Sequence, residues 1–174
     1  MLREDLAAKK GKDASDRQER GIAHLLALLG FRVVWWTDYL PKPAGAHQTG
    51  HDPDMFCISA DDSTAFLVEC STTHFDPNKV AKLTGRTNEV KRKLKATFGD
   101  EAPFARPLVA MGQDRATAPE QLKKAARENY AGLMGLDDEL ALLAALEAGL
   151  PESEVMGMFE ALFPLDRGFR PTAG

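Results

Sequence analysis

The chain has 174 residues, 44% hydrophobic and 28% charged, which is the composition of one globular domain able to bury a core without disulfide staples. Its net charge of -4 excludes a uniformly basic nucleic-acid coat protein but leaves room for a local basic groove. No apolar run approaches the roughly 20 residues of a membrane span, no signal-peptide core follows Met1, and two cysteines make no disulfide framework, so the expectation is a cytoplasmic chain without membrane contact.

Residues 1–14 are charged and alanine-rich and read as a loosely docked helical segment. From Ser15, the residues Ile22, Leu25, Leu26 and Leu29 recur at helical spacing, and Gly30 ends that helix. Residues 31–36 are β-branched and aromatic and predict a strand, in which Trp35 and Trp36 face opposite sides. Residues 41–50 carry two prolines and two glycines and read as a loop. A second strand covers residues 54–59, Asp61-Asp62-Ser63 supplies the turn, and residues 65–68 form a third strand. That third strand is apolar on both faces until Glu69, as in the centre of a covered sheet.

Asp76-Pro77 starts a helix running to about Phe98, with Val80, Leu83, Val90, Leu94 and Phe98 on its buried side. Residues 108–111 predict a fourth strand. Thr117 and Glu120 predict a capping box for a helix reaching about Asn129. A short strand over residues 131–136 follows, then a helix capped by Asp137 and ending near Gly149. Pro151 opens the last helix, with Val155, Met158, Phe159 and Leu162 as its stripe.

The fold class expected is α/β (α+β): a mixed sheet of four to five strands flanked by helices, in the order αβββαβ plus C-terminal helices. The organisation is an N-terminal segment 1–14, a core 15–136 and a helical extension 137–174. Met156, Met158, Phe159, Leu162 and Phe163 exceed the needs of one small helix. They serve either packing on their own domain or contact with a second copy or a partner subunit.

The chemistry concentrates between Asp54 and Ser71. Asp54 follows Pro53 at the start of one strand, and Glu69 ends the next, directly after Phe66-Leu67-Val68. A carboxylate beside the core costs several kcal/mol unless it is paired or bound to metal. Two on adjacent strands repel, and a divalent cation between them removes the conflict; oxygen donors suit Mg²⁺. Strand parity puts Glu69 and Ser71 on one face and the Cys70 side chain on the other, leaving the Cys70 carbonyl free to face a metal. A single strand-end carboxylate is as often a plain surface residue; the pair at hairpin spacing is the informative feature.

On the following helix Lys79, Lys82, Arg86 and Lys93 share a flank at i, i+3, i+7 and i+14. The first members can reach a phosphate or a water at the strand end, and the later ones can track a nucleic-acid backbone. A solvated helix face is the plainer account of such a run taken alone. His47 and His51 lie four apart in a loop without a cysteine pair, which is weak zinc spacing; His74 is close enough in sequence to touch a phosphate. Cys57 and Cys70 lack the flanking groups of a nucleophile, and no glycine-rich phosphate loop is present.

Taken together, these residues resemble the PD-(D/E)XK nuclease superfamily of restriction-endonuclease-like and Holliday-junction-resolvase-like enzymes. Pro53-Asp54 matches the first half of the motif, and Glu69-Cys70-Ser71 the second, with Ser71 where the family has lysine. Glu19, ahead of Gly30-Phe31, fits the glutamate that many members carry on the first helix. The resemblance covers residues 15–129. It implies a metal-dependent nuclease that hydrolyses phosphodiester bonds, with DNA expected ahead of RNA, in restriction, defence or repair. Asp54, Glu69 and the Cys70 carbonyl would hold Mg²⁺, for which Mn²⁺ substitutes, with Glu19 nearby or on a second metal. Lys79, and after it Lys82, would replace the missing lysine. Lys82, Arg86, Lys93, Ser71 and His74 would contact nucleic acid. The missing lysine also implies an alternative: a catalytically degenerate domain that binds nucleic acid or a protein partner.

Overall fold

The computed structural model describes residues 1–7, 13–36, 53–73 and 75–164. His47, His51 and His74, and the loop expected at residues 41–50, lie outside them. The helices are α1 (Leu2–Leu6), α2 (Ala14–Leu28), α3 (Pro77–Phe98), α4 (Glu120–Glu128), α5 (Leu136–Glu147) and α6 (Glu152–Glu160). The strands are β1 (Arg32–Trp35), β2 (Met55–Ile58), β3 (Thr64–Ser71), β4 (Phe104–Met111) and β5 (Gly132–Met134), in the spatial order β1-β2-β3-β4-β5. None of the described helices is long and apolar enough to cross a membrane.

The sheet is mixed for a local reason. A tight turn joins β2 to antiparallel β3, where Asp61 Oδ1 accepts from the Ser63 amide at 3.0 Å and Asp62 takes a positive φ of 58°. β4 runs parallel to β3, and a parallel neighbour needs a crossover, which α3 provides. Asp76 starts α3 by accepting from the Asn78 amide at 2.9 Å. Central β3 is buried on both faces. Phe66 and Val68 face a cluster with Ile22 and Leu25 of α2, Leu142 of α5 and Phe159 of α6. Ala65 and Leu67 face Val80 and Leu83 of α3 and Leu122 of α4. The alternation of one strand thus divides the core in two.

Several local expectations need correction. Leu2–Leu6 is a docked helix with Leu6 fully buried, because Gly21 lets it approach: a Cβ there would lie 2.9 Å from the Leu6 nitrogen. Phe98 is 55% exposed, since α3 outruns the sheet it covers. Thr117 does not cap α4; its hydroxyl donates to the Asp114 carbonyl at 2.9 Å within a short 3-10 turn. The carboxylate closing the first turn of α5 belongs to Asp138, which accepts from the Gly135 amide at 2.9 Å, while Asp137 accepts from the Arg115 amide at 2.8 Å.

The apolar C-terminal helix is consumed internally. Phe159 and Phe163 stack with Phe31 and Phe66 at centroid distances of 5.2–5.7 Å, and Val155 and Leu162 are buried beside them. Met158 departs from the expected stripe and is 36% exposed. The Leu133 amide donates to the Leu162 carbonyl at 3.1 Å, so the segment after α6 covers part of the β5 edge. Phe159→Ala should therefore cost about 3–5 kcal/mol in urea unfolding and Met158→Ala within about 0.5 kcal/mol of nothing. Equal losses at the two positions would show that the aromatic cluster does not anchor this helix.

Candidate active site

β3 is longer than its neighbour. The β2 ladder ends at the Met55–Val68 pair, whereas β3 continues to Ser71. Backbone groups alternate in direction along a strand. The Ser71 carbonyl faces β4, where it accepts from the Gly112 amide at 2.7 Å. Cys70 therefore turns its amide and carbonyl to the other side, past the start of β2. Asp54 fills that place: its Oδ2 accepts from the Cys70 amide at 2.6 Å, standing in for a ladder carbonyl. The Asp54 amide donates at 2.9 Å to the carbonyl of Val68, whose ladder partner is Met55. Two residues opposite one is the pattern of a bulge, which turns the Asp54 side chain into the gap.

Glu69 follows the parity of Leu67 onto the α3 side and is only 8% exposed. Lys79, in the first turn of α3, places Nζ 3.8 Å from Glu69 Oε1. Burial pushes the Glu69 carboxyl up to about 7, the charge of Asp54 adds to the rise, and Lys79 and Lys82 offset part of it. Burial likewise pushes Asp54 up to about 6; the Cys70 amide and Lys79 oppose this, and Glu19 adds to it. Glu19 is partly buried on α2 and accepts from the Ser15 hydroxyl at 2.9 Å. The structure thus brings Asp54, Glu69, the Cys70 backbone and Lys79 together, with Glu19 and Lys82 within electrostatic reach.

Other expected residues stand apart. Arg86 and Lys93 both hold Glu89, at 2.9 and 3.3 Å. At 1.5 Å per residue Lys93 lies about 21 Å along α3 from Lys79. The Ser71 hydroxyl lies 3.5 Å from that of Thr73. Cys70 packs its thiol toward the α2 side, and burial pushes the Cys57 thiol up to about 12, so neither is a ready nucleophile. A separate cavity of about 720 Å³ along β5 is lined by none of Asp54, Glu69 and Glu19. Of its cations Arg115, Lys123 and Arg127, the first two pair with Asp138 and Glu120.

Gln18 is the residue that sequence reasoning missed. It is fully buried, and its Nε2 donates to the Ser71 carbonyl at 3.0 Å. Its signal was a polar residue in line with Ile22, Leu25 and Leu29 on the apolar stripe of α2.

Among the described residues no three His, Cys, Asp or Glu side chains converge on one point that could hold a metal. The donors near the gap are two carboxylates and one carbonyl. That all-oxygen set, with two desolvated carboxylates raising each other's proton affinity, fits a hard divalent cation completed by water and phosphate.

The chain superposes on restriction endonuclease FokI with a TM-score of 0.57 and 12% identity, over 91% of this chain and 29% of that one. It superposes on restriction endonuclease FokI bound to DNA with a TM-score of 0.55 and 14% identity, over 91% and 28%. The fold is restriction-endonuclease-like. The chain spans less than a third of the length of those proteins. No family model and no curated protein matches the sequence. The restriction-endonuclease-like sheet is thus carried by burial pattern and topology at an identity too low to carry residue roles.

The part-buried Asp54 and the buried Glu69 both sit above their unfolded values of about 3.9 and 4.3. The metal-free folded chain therefore holds these protons more tightly than the unfolded one. That stabilisation is complete below about pH 4 and is lost as pH rises through about 6 and 7. In EDTA, Tm should fall between about pH 5 and about pH 8, and Glu69→Gln should flatten the slope and melt above wild type at the alkaline end. A Glu69→Gln variant melting below wild type there would remove the case for charge strain at this position.

Proposed function

We propose that the chain is a divalent-metal-dependent nuclease acting on DNA. The observation that supports this best is the junction at the end of β2: Asp54 bonded to the Cys70 amide at 2.6 Å, Glu69 buried on the next strand, and Lys79 3.8 Å from Glu69. The restriction-endonuclease-like fold and a neighbour described as bound to DNA support the choice of substrate. Asp54, Glu69 and the Cys70 carbonyl hold one Mg²⁺ or Mn²⁺, with Glu19 outside them or on a second ion. The ion, when bound, lowers the pKa of water and withdraws charge from a phosphate.

Lys79 takes the part of the lysine that Ser71 replaces. From its place beside Glu69 its ammonium orients a water or meets charge developing on the phosphate. Lys82, one turn on, is the second candidate. Arg86 and Lys93 exchange Glu89 for phosphates farther along the duplex, and Ser71 and His74 add polar contacts at the near end. Most apolar residues of α6 lie in the domain's own core, so a second copy or partner subunit would use exposed positions such as Leu150 and Met158.

Supercoiled plasmid and single-stranded DNA incubated with Mg²⁺, Mn²⁺ or EDTA test the reading. Wild type should cleave only with metal, Glu69→Ala should not cleave, and Lys79→Ala should lose about 100-fold or more, ahead of Lys82→Ala. Metal-dependent cleavage that survives Glu69→Ala would sink the assignment. DNA bound but never cut would favour the second reading, a non-cleaving domain, which the serine at position 71 supports.

A further inference from the structure

Three buried side-chain oxygens among the described residues have no hydrogen-bond partner: Oε1 of Gln18 and both carboxyl oxygens of Glu139. Both side chains are completely buried. Gln18 lies on α2 and Glu139 on α5, and these helices pack together on the face of the sheet that receives the Cys70 thiol. Buried polar groups left unpaired are rare, and two on adjoining helices are best understood together.

The other end of Gln18 is engaged. Its Nε2 donates at 3.0 Å to the Ser71 carbonyl, which also accepts from the Gly112 amide at 2.7 Å. Gly112 is constrained as well, since a Cβ there would lie 2.8 Å from the Thr72 carbonyl oxygen. With Asp54 on the Cys70 amide, the strand end is held from three directions. Gln18 is the only one of the three holders that comes from a helix packed on the sheet's other face. Its own free atom is an acceptor in need of a donor.

Glu139 can be that donor when it carries a proton. Burial pushes its carboxyl well above the usual range, and neighbouring Asp138 and Asp137 push the same way. The helices that carry Gln18 and Glu139 pack on each other and on the cluster that receives the Cys70 side chain, so both orphaned groups lie in one layer. We propose that Glu139 donates to Gln18 Oε1 and that Gln18 holds the Ser71 carbonyl, a buried relay that positions the neighbouring Cys70 carbonyl. Gln18 and Glu139 are then positioning residues, and this role rests on the reading of the strand end as the metal-facing part of a nuclease site.

The test uses the full chain, amide exchange at residues 70–72 in EDTA and calorimetric titration with Mn²⁺. Glu139→Leu should melt close to wild type, because the relief of no longer burying a carboxyl is set against the donor that Gln18 Oε1 loses. It should nevertheless speed exchange at residues 70–72 and weaken Mn²⁺ binding about 10-fold. Glu139→Gln, whose amide can donate to Gln18 Oε1, should restore both. Gln18→Leu should repeat the loss and add nothing to Glu139→Leu, as expected of two members of one relay. Exchange and Mn²⁺ affinity unchanged in Glu139→Leu, or additive losses in the double variant, would overturn the relay. A wild-type chain that neither binds Mn²⁺ nor cuts DNA would overturn the nuclease reading instead, while the exchange measurement in EDTA would still decide the relay.

Discussion

The site depends on one substitution of a side chain for a backbone. β2 stops at Met55 while β3 continues to Ser71, so the Cys70 amide loses its ladder acceptor. An amide turned away from water needs a partner, and the Asp54 carboxylate supplies it at 2.6 Å in a part-buried bond. That bond holds a carboxylate at the end of two inner strands, beside apolar neighbours. Strand alternation turns the Cys70 carbonyl toward the same gap, since the Ser71 carbonyl faces β4. The carboxylate, the carbonyl and Glu69 thus come together as a consequence of unequal strand lengths.

Electrostatics then acts on what the backbone has assembled. Asp54 and Glu69 are both desolvated and each is raised in proton affinity. A domain built for stability alone would neutralise such a pair or remove it. Here Lys79 compensates in part, from a helix whose start is fixed by Asp76 and which makes the crossover from β3 to β4. The crossover that makes the sheet mixed is therefore the same element that brings the cation to the carboxylates. Arg86 and Lys93 ride on that helix, paired with Glu89, so the basic flank is prepared but not free.

Much of this was legible along the chain because its causes are periodic or local. Ile22, Leu25, Leu26 and Leu29 announce α2, the doubly apolar run before Glu69 announces a central strand, and Asp76-Pro77 announces α3. Asp54 and Glu69 could be singled out because charge at a strand end conflicts with its apolar context. The misreadings share a different cause. Motif or spacing points to Thr117, Asp137 and Met158, yet Thr117 closes a local 3-10 turn, Asp137 accepts from the distant Arg115 amide and Met158 stays 36% exposed. Gln18 and Glu139 were passed over because a single polar residue on an apolar stripe looks like an interruption rather than a contact.

By itself, the sequence determined the kinds and order of the elements, the two faces of the sheet, and which carboxylates are out of place, since these follow from side-chain period and from the cost of burying charge. Only the tertiary structure decided that β2 would end short of β3, that Asp54 would bond the Cys70 amide, that Lys79 lies beside Glu69, and that Gln18 would reach Ser71 from another layer. These are contacts between segments whose spacing in the chain carries no record of their distance in the fold. They are set by register, by helix docking and by the need to satisfy each buried polar group.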